Sequence, residues 1–450
     1  MRIDLDQHLN TPILSWPELK AKIRAFEAVI TSVSLRHYPL QRLDSFQIQE
    51  LGHLLGPAVH TIDLSGALAQ FNEPASTLAL FLILFPKLKT LKLADNEFYK
   101  LSPDSWLNLL AILPKSIQKL DLQNNLLHEK VLGLNTFPYS FLELNLSNNA
   151  LNEITNDTLS FCQNVYAIQC LNLSCNQFRT LPDWRSKNVT QLRLNNARLD
   201  QLTASEFYAL CEHLPQSLQI LDLEENNLGA LAAEVLQKGF SLLPKTLVYI
   251  NLKKNGLNQQ KGSELKIAFS GVLENVKGID LSENNLASID GHGLKVALSG
   301  LHKFIKFISL AGNALHSLEI KKLTEAFKSL TRNDSVVQID LQDNIINENG
   351  LRLPLENVIY LQKNLPVKVD LIFSKNLNIR FNGSIFFKST PVKPPTTDKN
   401  KCQFIQCITI FRAFNQQNLP LELILHILSY VAPQPVVNNA CTFYHSNLLL

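Results

Sequence analysis

The sequence is poor in the features that mark membrane, disulfide-rich and metal-binding proteins. Its seven cysteines are an odd number and form no Cys-x-x-Cys pair, so neither a disulfide framework nor a zinc knuckle is predicted. The longest apolar run, residues 78–85, is far shorter than the roughly 20 residues that span a bilayer. Residues 1–30 include Asp4 and Asp6 and lack the apolar centre of a secretory signal. We therefore expect a soluble protein of the reducing cytoplasm with no membrane-inserted segment.

Charge and catalytic motifs are equally sparse. Forty-two basic residues stand against 39 acidic ones, a balance that predicts no nucleic-acid partner. The sequence has no glycine-rich phosphate loop, no His-x-x-x-His metal pair and no nucleophile elbow. We expect no catalytic site, no cofactor and no metal. The alternative is an enzyme with a thiol nucleophile near the C-terminus, at Cys402, Cys407 or Cys441.

One motif recurs along most of the chain. The stretch Leu218–Leu228, LQILDLEENNL, returns as LVYINLKKNGL from Leu247 and as VKGIDLSENNL from Val276. Most copies are spaced by about 29 residues, enough for a short strand and a helix. This leucine-rich repeat pattern predicts an α/β solenoid with a curved parallel sheet on its concave side and helices on its convex side. The third apolar anchors of the copies are Leu35, Leu64, Leu93, Leu122, Leu146, Leu173, Leu194, Leu223, Leu252, Leu281, Leu310, Leu341 and Phe373.

The repeat pattern also sets the predicted domain limits. Residues 1–28 are expected to form an N-terminal helical cap, with Ser15 and Glu18 as a capping box. Residues 29–380 form the solenoid of about 13 repeats. The lysine- and proline-rich residues 381–401 are predicted to be a linker, and residues 402–450 a small helical module.

Each copy places an asparagine where the chain leaves the strand. The side-chain amide is expected to satisfy backbone groups that the turn leaves unpaired. Tyr38, Ala67 and Ala197 replace it, so local weakness is expected at those three turns. The asparagines are Asn96, Asn125, Asn149, Asn176, Asn226, Asn255, Asn284, Asn313, Asn344 and Asn376.

Residues between the anchors are predicted to face outward on the concave surface, neighbouring strands lying about 4.8 Å apart. Charged residues and two aromatics in these positions have the composition of a protein interface, and we predict that a monomer binds a partner protein there. The alternative is that the Asp and Asn residues are ordinary repeat positions. The predicted partner-binding residues are Arg193, Asp222, Glu224, Glu225, Tyr249, Asn251, Lys253, Asp280, Phe307 and Asp340.

Two family resemblances follow from these residues. The repeats resemble those of ribonuclease-inhibitor-type leucine-rich repeat proteins. The C-terminal segment LPLELILHILSYV resembles the first helix of an F-box, which implies binding to a Skp-family adaptor of a cullin-RING ubiquitin ligase. The matching residues, and hence the implied adaptor-binding residues, are Leu419, Pro420, Leu423, Ile427 and Leu428.

The general composition carries a third resemblance. With only 16 glycines and one methionine, and with Asn- and Lys-rich repeats, the chain looks like an effector that an intracellular bacterium injects into host cells. That resemblance implies a virulence role in the host cytosol.

Overall fold

The fold is known from a computed structural model. It describes residues 2–5, 14–26, 29–69, 74–127, 141–151, 168–177, 183–185, 188–330, 337–344, 360–361, 364–365, 369–374, 377–379 and 385–386. The chain divides into two compact units, Met1–Asn255 and Gly256–Leu450.

The first unit contains ten parallel strands in chain order, each paired with the next. They are β1 Arg2–Asp4, β2 Ser32–Ser34, β3 Thr61–Asp63, β4 Thr90–Lys92, β5 Lys119–Asp121, β6 Glu143–Asn145, β7 Cys170–Asn172, β8 Gln191–Arg193, β9 Ile220–Asp222 and β10 Tyr249–Asn251. The α-helices of its described residues are α1 Trp16–Arg24, α2 Ser45–Leu55, α3 Pro74–Leu82, α4 Pro103–Ala111, α5 Ala204–Glu212 and α6 Ala233–Ser241.

The second unit continues the same alternation and then departs from it. Strands β11 Gly278–Asp280, β12 Phe307–Ser309, β13 Val337–Asp340 and β14 Val369–Ser374 run parallel, and β15 Leu377–Ile379 and β16 Ile385–Phe386 add in antiparallel order. The described helices are α7 Gly262–Ser270, α8 Asp290–Leu298 and α9 Ile320–Lys328.

The apolar anchors explain why these short strands form where they do. In the repeat that contains β9, Leu218, Leu221 and Leu223 are buried, whereas Ile220 and Asp222 between them are only partly covered. The helix side is packed closely as well: a Cβ on Gly239 of α6 would lie 2.2 Å from the Phe207 ring of α5. The predicted leucine-rich repeat fold is confirmed, because strands β2 to β14 coincide with the thirteen predicted anchor positions.

The N-terminal segment holds both a predicted and an unpredicted feature. At the start of α1, the backbone N–H and the hydroxyl of Ser15 both donate to the Glu18 carboxylate at 2.7 Å, which confirms the capping box. Leu19 and Ile23 form the buried stripe of this helix. Strand β1, which pairs with β2, was not predicted, so the segment 1–28 contributes a strand as well as a helix.

Several C-terminal predictions fall outside the described residues. These are Asn376, the helix Leu419–Tyr430, and the whole segment 387–450. Strand β16 lies inside the predicted linker 381–401, whose other residues the structure does not describe. Within the described part of the chain, no helix is both long and apolar enough to cross a membrane.

Candidate functional site

A ladder of buried asparagines fixes the turns that follow the strands. The nine described members are between 0% and 2% exposed. The Nδ2 of Asn226 donates to the carbonyl groups of Leu194, 2.8 Å away, and Leu223, 2.9 Å away. Its backbone N–H donates to the Oδ1 of Asn255 at 3.0 Å, so each turn is bonded to the next. The predicted role of the asparagine is therefore confirmed.

The ladder is interrupted at one of the predicted weak turns. The N–H of Ala197 donates to the Oδ1 of Asn226 at 2.8 Å, but alanine has no side-chain oxygen to offer the preceding turn. Asn149, two turns earlier, still donates its N–H to the Oδ1 of Asn176 at 2.9 Å. The side-chain ladder of the first unit therefore stops at Asn176 and resumes at Asn226.

The turn brings the residues on either side of the asparagine to the surface. Glu225 and Asn227 flank Asn226 with φ angles of 59° and 51°, in the left-handed region. A left-handed non-glycine residue costs roughly 1–2 kcal/mol, and the buried amide of Asn226 offsets it. This backbone geometry is what carries the charge of Glu225 out of the sheet.

The last residue of each strand forms a row across the first unit, as the register predicts. Arg193, Asp222 and Asn251 are direct neighbours in that row. The Nδ2 of Asn251 donates to the Oδ1 of Asp222 at 2.7 Å. Each of these two side chains also accepts the backbone N–H two residues on, from Glu224 at 3.3 Å and Lys253 at 2.9 Å. Both side chains therefore help to end their strands. This is the role expected of them if they are ordinary positions of the repeat.

Arg193 differs from its row neighbours. Its side chain is exposed, and none of the described carboxylates lies within 4.0 Å of its guanidinium. On the adjoining row, which holds the first residue of each strand, the apolar side chains of Ile220 and Tyr249 are neighbours and remain partly exposed. An arginine, a tyrosine and an aliphatic side chain exposed on the same strand face have the composition of an interface hot spot.

The predicted charged residues beyond the row are brought together but neutralise one another. The Nζ of Lys253 lies 3.2 Å from Glu224, and the Nζ of Lys254 lies 2.9 Å from Glu225 and 3.9 Å from Glu224. Partly exposed pairs of this kind contribute roughly 0–1 kcal/mol each to stability. The cluster therefore presents both positive and negative side chains to a partner, and not a surface of uniform charge.

Three predicted residues belong to the second unit. Asp280 and Asp340 occupy the last-residue row on either side of Ser309, and each accepts a backbone N–H two residues on. Phe307 lies two residues before Ser309 on β12, in the first-residue row, and is partly exposed. The aromatic side chain on β12 and the two carboxylates on β11 and β13 therefore lie in different rows.

The last-residue row of the first unit also has a charged stretch at β3 to β6, which is not among the predicted binding residues. Lys92 lies 3.6 Å from the buried carboxylate of Asp63 and is the register neighbour of Asp121. Asp121 accepts from the Nδ2 of Asn145 at 2.9 Å. Burial raises the pKa of Asp121, against the effect of its hydrogen bonds and of Lys92. The alternation Asp-Lys-Asp at successive anchors could have revealed this stretch.

The first unit has two surface grooves. One of about 320 Å3 lies between the end of α1 and the end of α2, at the other end of the first strands. A larger one of about 480 Å3 lies beside the turns after β2 to β5. Tyr99 and Leu126 line the larger groove and are 41% and 42% exposed. Its acidic residues are Asp95 and Glu97, and Glu97 pairs with Lys100 at 2.6 Å. The sequence analysis missed it because these residues lie in the left-handed turns, outside the strand rows.

The described cysteines are structural. Cys211 is buried, Cys170 is partly buried and Cys175 is exposed, and all three are unpaired thiols. Burial raises the pKa of each thiol above its usual range. Cys175 lies in the turn after β7 with a left-handed φ of 58°. Among the described residues there is no group of three potential metal ligands.

Comparison with known proteins returns partial matches. No protein-family model matches the chain. Podocan-like protein 1 of Homo sapiens is 29% identical over 143 residues, which are 32% of this chain and 25% of that protein. Podocan-like protein 1 of Mus musculus is 30% identical over 145 residues, which are 32% of this chain and 23% of that protein.

Among solved structures, the chain is similar to the leucine-rich repeat-containing protein LegL7 from Legionella pneumophila. The two share 20% identity with a TM-score of 0.47 over 80% of this chain and 97% of that one. The chain spans about a quarter of the length of the two podocan-like proteins. The leucine-rich repeat fold is shown by the chain's own repeats and strands.

Proposed function

We propose that this chain is a protein-interaction scaffold that binds a partner protein on the exposed face of its parallel strands. The observation that carries the proposal is that one strand face presents the exposed Arg193 at the end of β8 and, in the first-residue row of β9 and β10, the partly exposed Ile220 and Tyr249. Glu224, Glu225, Lys253 and Lys254 would form a polar rim around that apolar centre, as protein interfaces commonly have.

Affinity capture from eukaryotic cytosol tests this function, with the captured proteins identified by mass spectrometry and their binding measured by calorimetry. The variant Arg193→Ala/Tyr249→Ala should weaken binding of a specific partner by about tenfold or more, since two hot-spot side chains are lost. The matched control is Tyr208→Ala/Lys238→Ala, which removes a cation and an aromatic ring 4.5 Å apart on the helices α5 and α6.

The two variants separate the outcomes. Loss in the first variant and retention in the control supports binding on the strand face. Retention in both would refute the proposal for the first unit. The separate variant Phe307→Ala then tests the predicted contact of β12 in the second unit, together with Asp280→Ala and Asp340→Ala.

The second candidate function is that of a substrate adaptor for a cullin-RING ubiquitin ligase. It is supported by the F-box-like order of Leu419, Pro420, Leu423, Ile427 and Leu428 in the sequence. In this function the strand face would select the substrate. The variant Leu423→Asp should abolish binding of a purified Skp-family adaptor while leaving strand-face binding intact. Unchanged adaptor binding, or none by the original chain, would exclude this role.

We further propose that the protein acts as a bacterial effector in the cytosol of a host cell. This rests on the effector-like composition described above. Fusion to a reporter enzyme that is active only in eukaryotic cytosol should give a signal during infection, and a secretion-deficient bacterial strain should give none. Equal signals from both strains would contradict delivery.

A further inference from the structure

The edge at which β11 and β12 begin, in the second unit, carries a concentration of lysines. Lys277 and Lys306 directly precede the two strands, and the backbone N–H of Lys306 donates to the carbonyl of Lys277 at 2.8 Å. Lys303 stands in the turn that leads into β12 and is exposed, as is Lys306. Three lysines thus lie on one short edge.

An exposed aromatic ring lies at the centre of this edge. Phe304 is 36% exposed, and the Nζ atoms of Lys277 and Lys303 lie 5.1 and 5.2 Å from its ring centroid. The backbone N–H of Phe304 donates to the Nδ1 of His302 at 3.1 Å, which fixes the turn. Burial and the nearby Lys277 hold the pKa of His302 below its usual range.

Two lysines of this edge, Lys277 and Lys306, are not paired with carboxylates in the way that lysines of the first unit are. On the strand faces of the first unit, Lys119 pairs with Glu143 at 2.6 Å and Lys253 with Glu224 at 3.2 Å. For Lys277 and Lys306, no carboxylate of the described residues lies within 4.0 Å. Lys277 donates instead to the backbone carbonyl of Glu274 at 2.8 Å. Cation–π attraction holds Lys277 and Lys303 over the Phe304 ring, while Lys277 and Lys306 keep a positive charge that is available to an anionic group.

We propose that this basic edge, formed by Lys277, Lys303, Phe304 and Lys306, binds an acidic segment of a protein. The carboxylates of such a segment pair with the ammonium groups of Lys277 and Lys306, and an apolar side chain of the same segment contacts the exposed part of the Phe304 ring. A protein segment fits better than a nucleic acid, because the net charge of the chain is only +3 and a nucleic acid would need a broader basic surface. The surface differs from the strand face around Arg193 and Tyr249, so either proposal can fail without the other.

The test uses the full chain and a fluorescein-labelled peptide of twelve Asp and Glu residues with a leucine at the centre, followed by fluorescence anisotropy. Binding should weaken as NaCl is raised, since exposed ion pairs are screened. The variant Lys277→Gln/Lys306→Gln should raise the Kd about tenfold, and Phe304→Ser should raise it several-fold. The matched control is Lys266→Gln/Lys321→Gln, which removes two exposed lysines from α7 and α9.

Circular dichroism of each variant establishes that the fold is retained. An equal loss in the control would show that only net charge matters and would overturn the proposal. So would the absence of peptide binding by the original chain at low salt. A single-stranded oligonucleotide and phosphatidylserine vesicles serve as competing probes. If either binds in a Lys277- and Lys306-dependent manner while the peptide does not, the acidic protein segment is the wrong partner.

Discussion

The side-chain amide of Asn251 donates a 2.7 Å hydrogen bond to the carboxylate of Asp222 on the neighbouring strand. Asn251 also accepts the backbone N–H of Lys253 at 2.9 Å. One amide therefore joins two strands and closes the turn that follows. Polar residues in the middle of the predicted binding face thus hold the fold as well as face the solvent, and substitutions there must be chosen to separate the two roles.

The variant Asn251→Asp isolates the link between the strands. It keeps the acceptor for the N–H of Lys253 but places a second carboxylate opposite Asp222, and like charges opposite each other in a sheet destabilise it by roughly 0.2–1 kcal/mol. The pKa of the new carboxyl should be raised in the folded state, so the destabilisation is present at pH 7 and lost as the pH falls through that pKa. Urea unfolding at pH 7 and pH 4 measures this, and an equal loss at both values would contradict it.

The buried asparagine ladder predicts a larger effect from Asn226→Ala. Its Oδ1 accepts from Ala197 at 2.8 Å, and its Nδ2 donates to the carbonyls of Leu194 and Leu223. Each backbone group left without a partner costs about 1–3 kcal/mol, so we expect a loss of about 2 kcal/mol or more. Urea denaturation followed by circular dichroism measures it. The control Asn108→Ala, on the exposed face of α4, should be neutral or slightly stabilising.

Replacing Asp121 with asparagine should increase the stability of the fold in a pH-dependent way. Its Oδ1 accepts both from the N–H of Gln123 at 3.0 Å and from Asn145 at 2.9 Å, and an asparagine oxygen can accept both bonds. Because burial raises the folded-state pKa of Asp121, its ionisation destabilises the fold above that pKa, and the penalty disappears as the pH falls below the usual carboxyl range. Asp121→Asn should therefore be more stable than the original chain at pH 7, by about 1 kcal/mol or less.

The comparison that checks Asp121→Asn is the difference in unfolding free energy at pH 7 and at pH 3.5. The stability advantage of Asp121→Asn over the original chain should be smaller at pH 3.5 than at pH 7. A difference that grows with acid would mean that attraction to Lys92, not burial, dominates the titration of Asp121.

The strand positions could be read from the sequence because burial dictates them. Leu218, Leu221 and Leu223 can all be buried only if the chain between them is extended, so the apolar spacing fixes both the strand and its outward residues. The turn asparagine was equally predictable, since an irregular turn leaves backbone groups that need a partner. The same spacing placed Arg193, Asp222 and Asn251 in one row before any coordinates were known.

The site was less predictable because it depends on which side chains pair. Nothing in the repeat pattern says that Glu224 and Lys253 neutralise each other across two strands, or that Asp222 is used to close its own turn. Phe304 was missed because it precedes the strand by three residues, outside the positions that the repeat defines as outward. Strand β1 was missed because its short sequence lacks the repeat motif and forms only by pairing with β2.

The thiols give a prediction about their reactivity. The thiolate is the reactive species, and burial disfavours it, so Cys211 in α5 should resist a maleimide at pH 7.5 until the chain is unfolded. Cys175 is exposed and should be modified at least about tenfold faster, with a rate that rises with pH because its pKa also lies above the usual range. Peptide mapping by mass spectrometry measures both rates, and Cys175→Ser should remove the fast peptide alone. Rapid native labelling of Cys211 would mean that α5 opens readily.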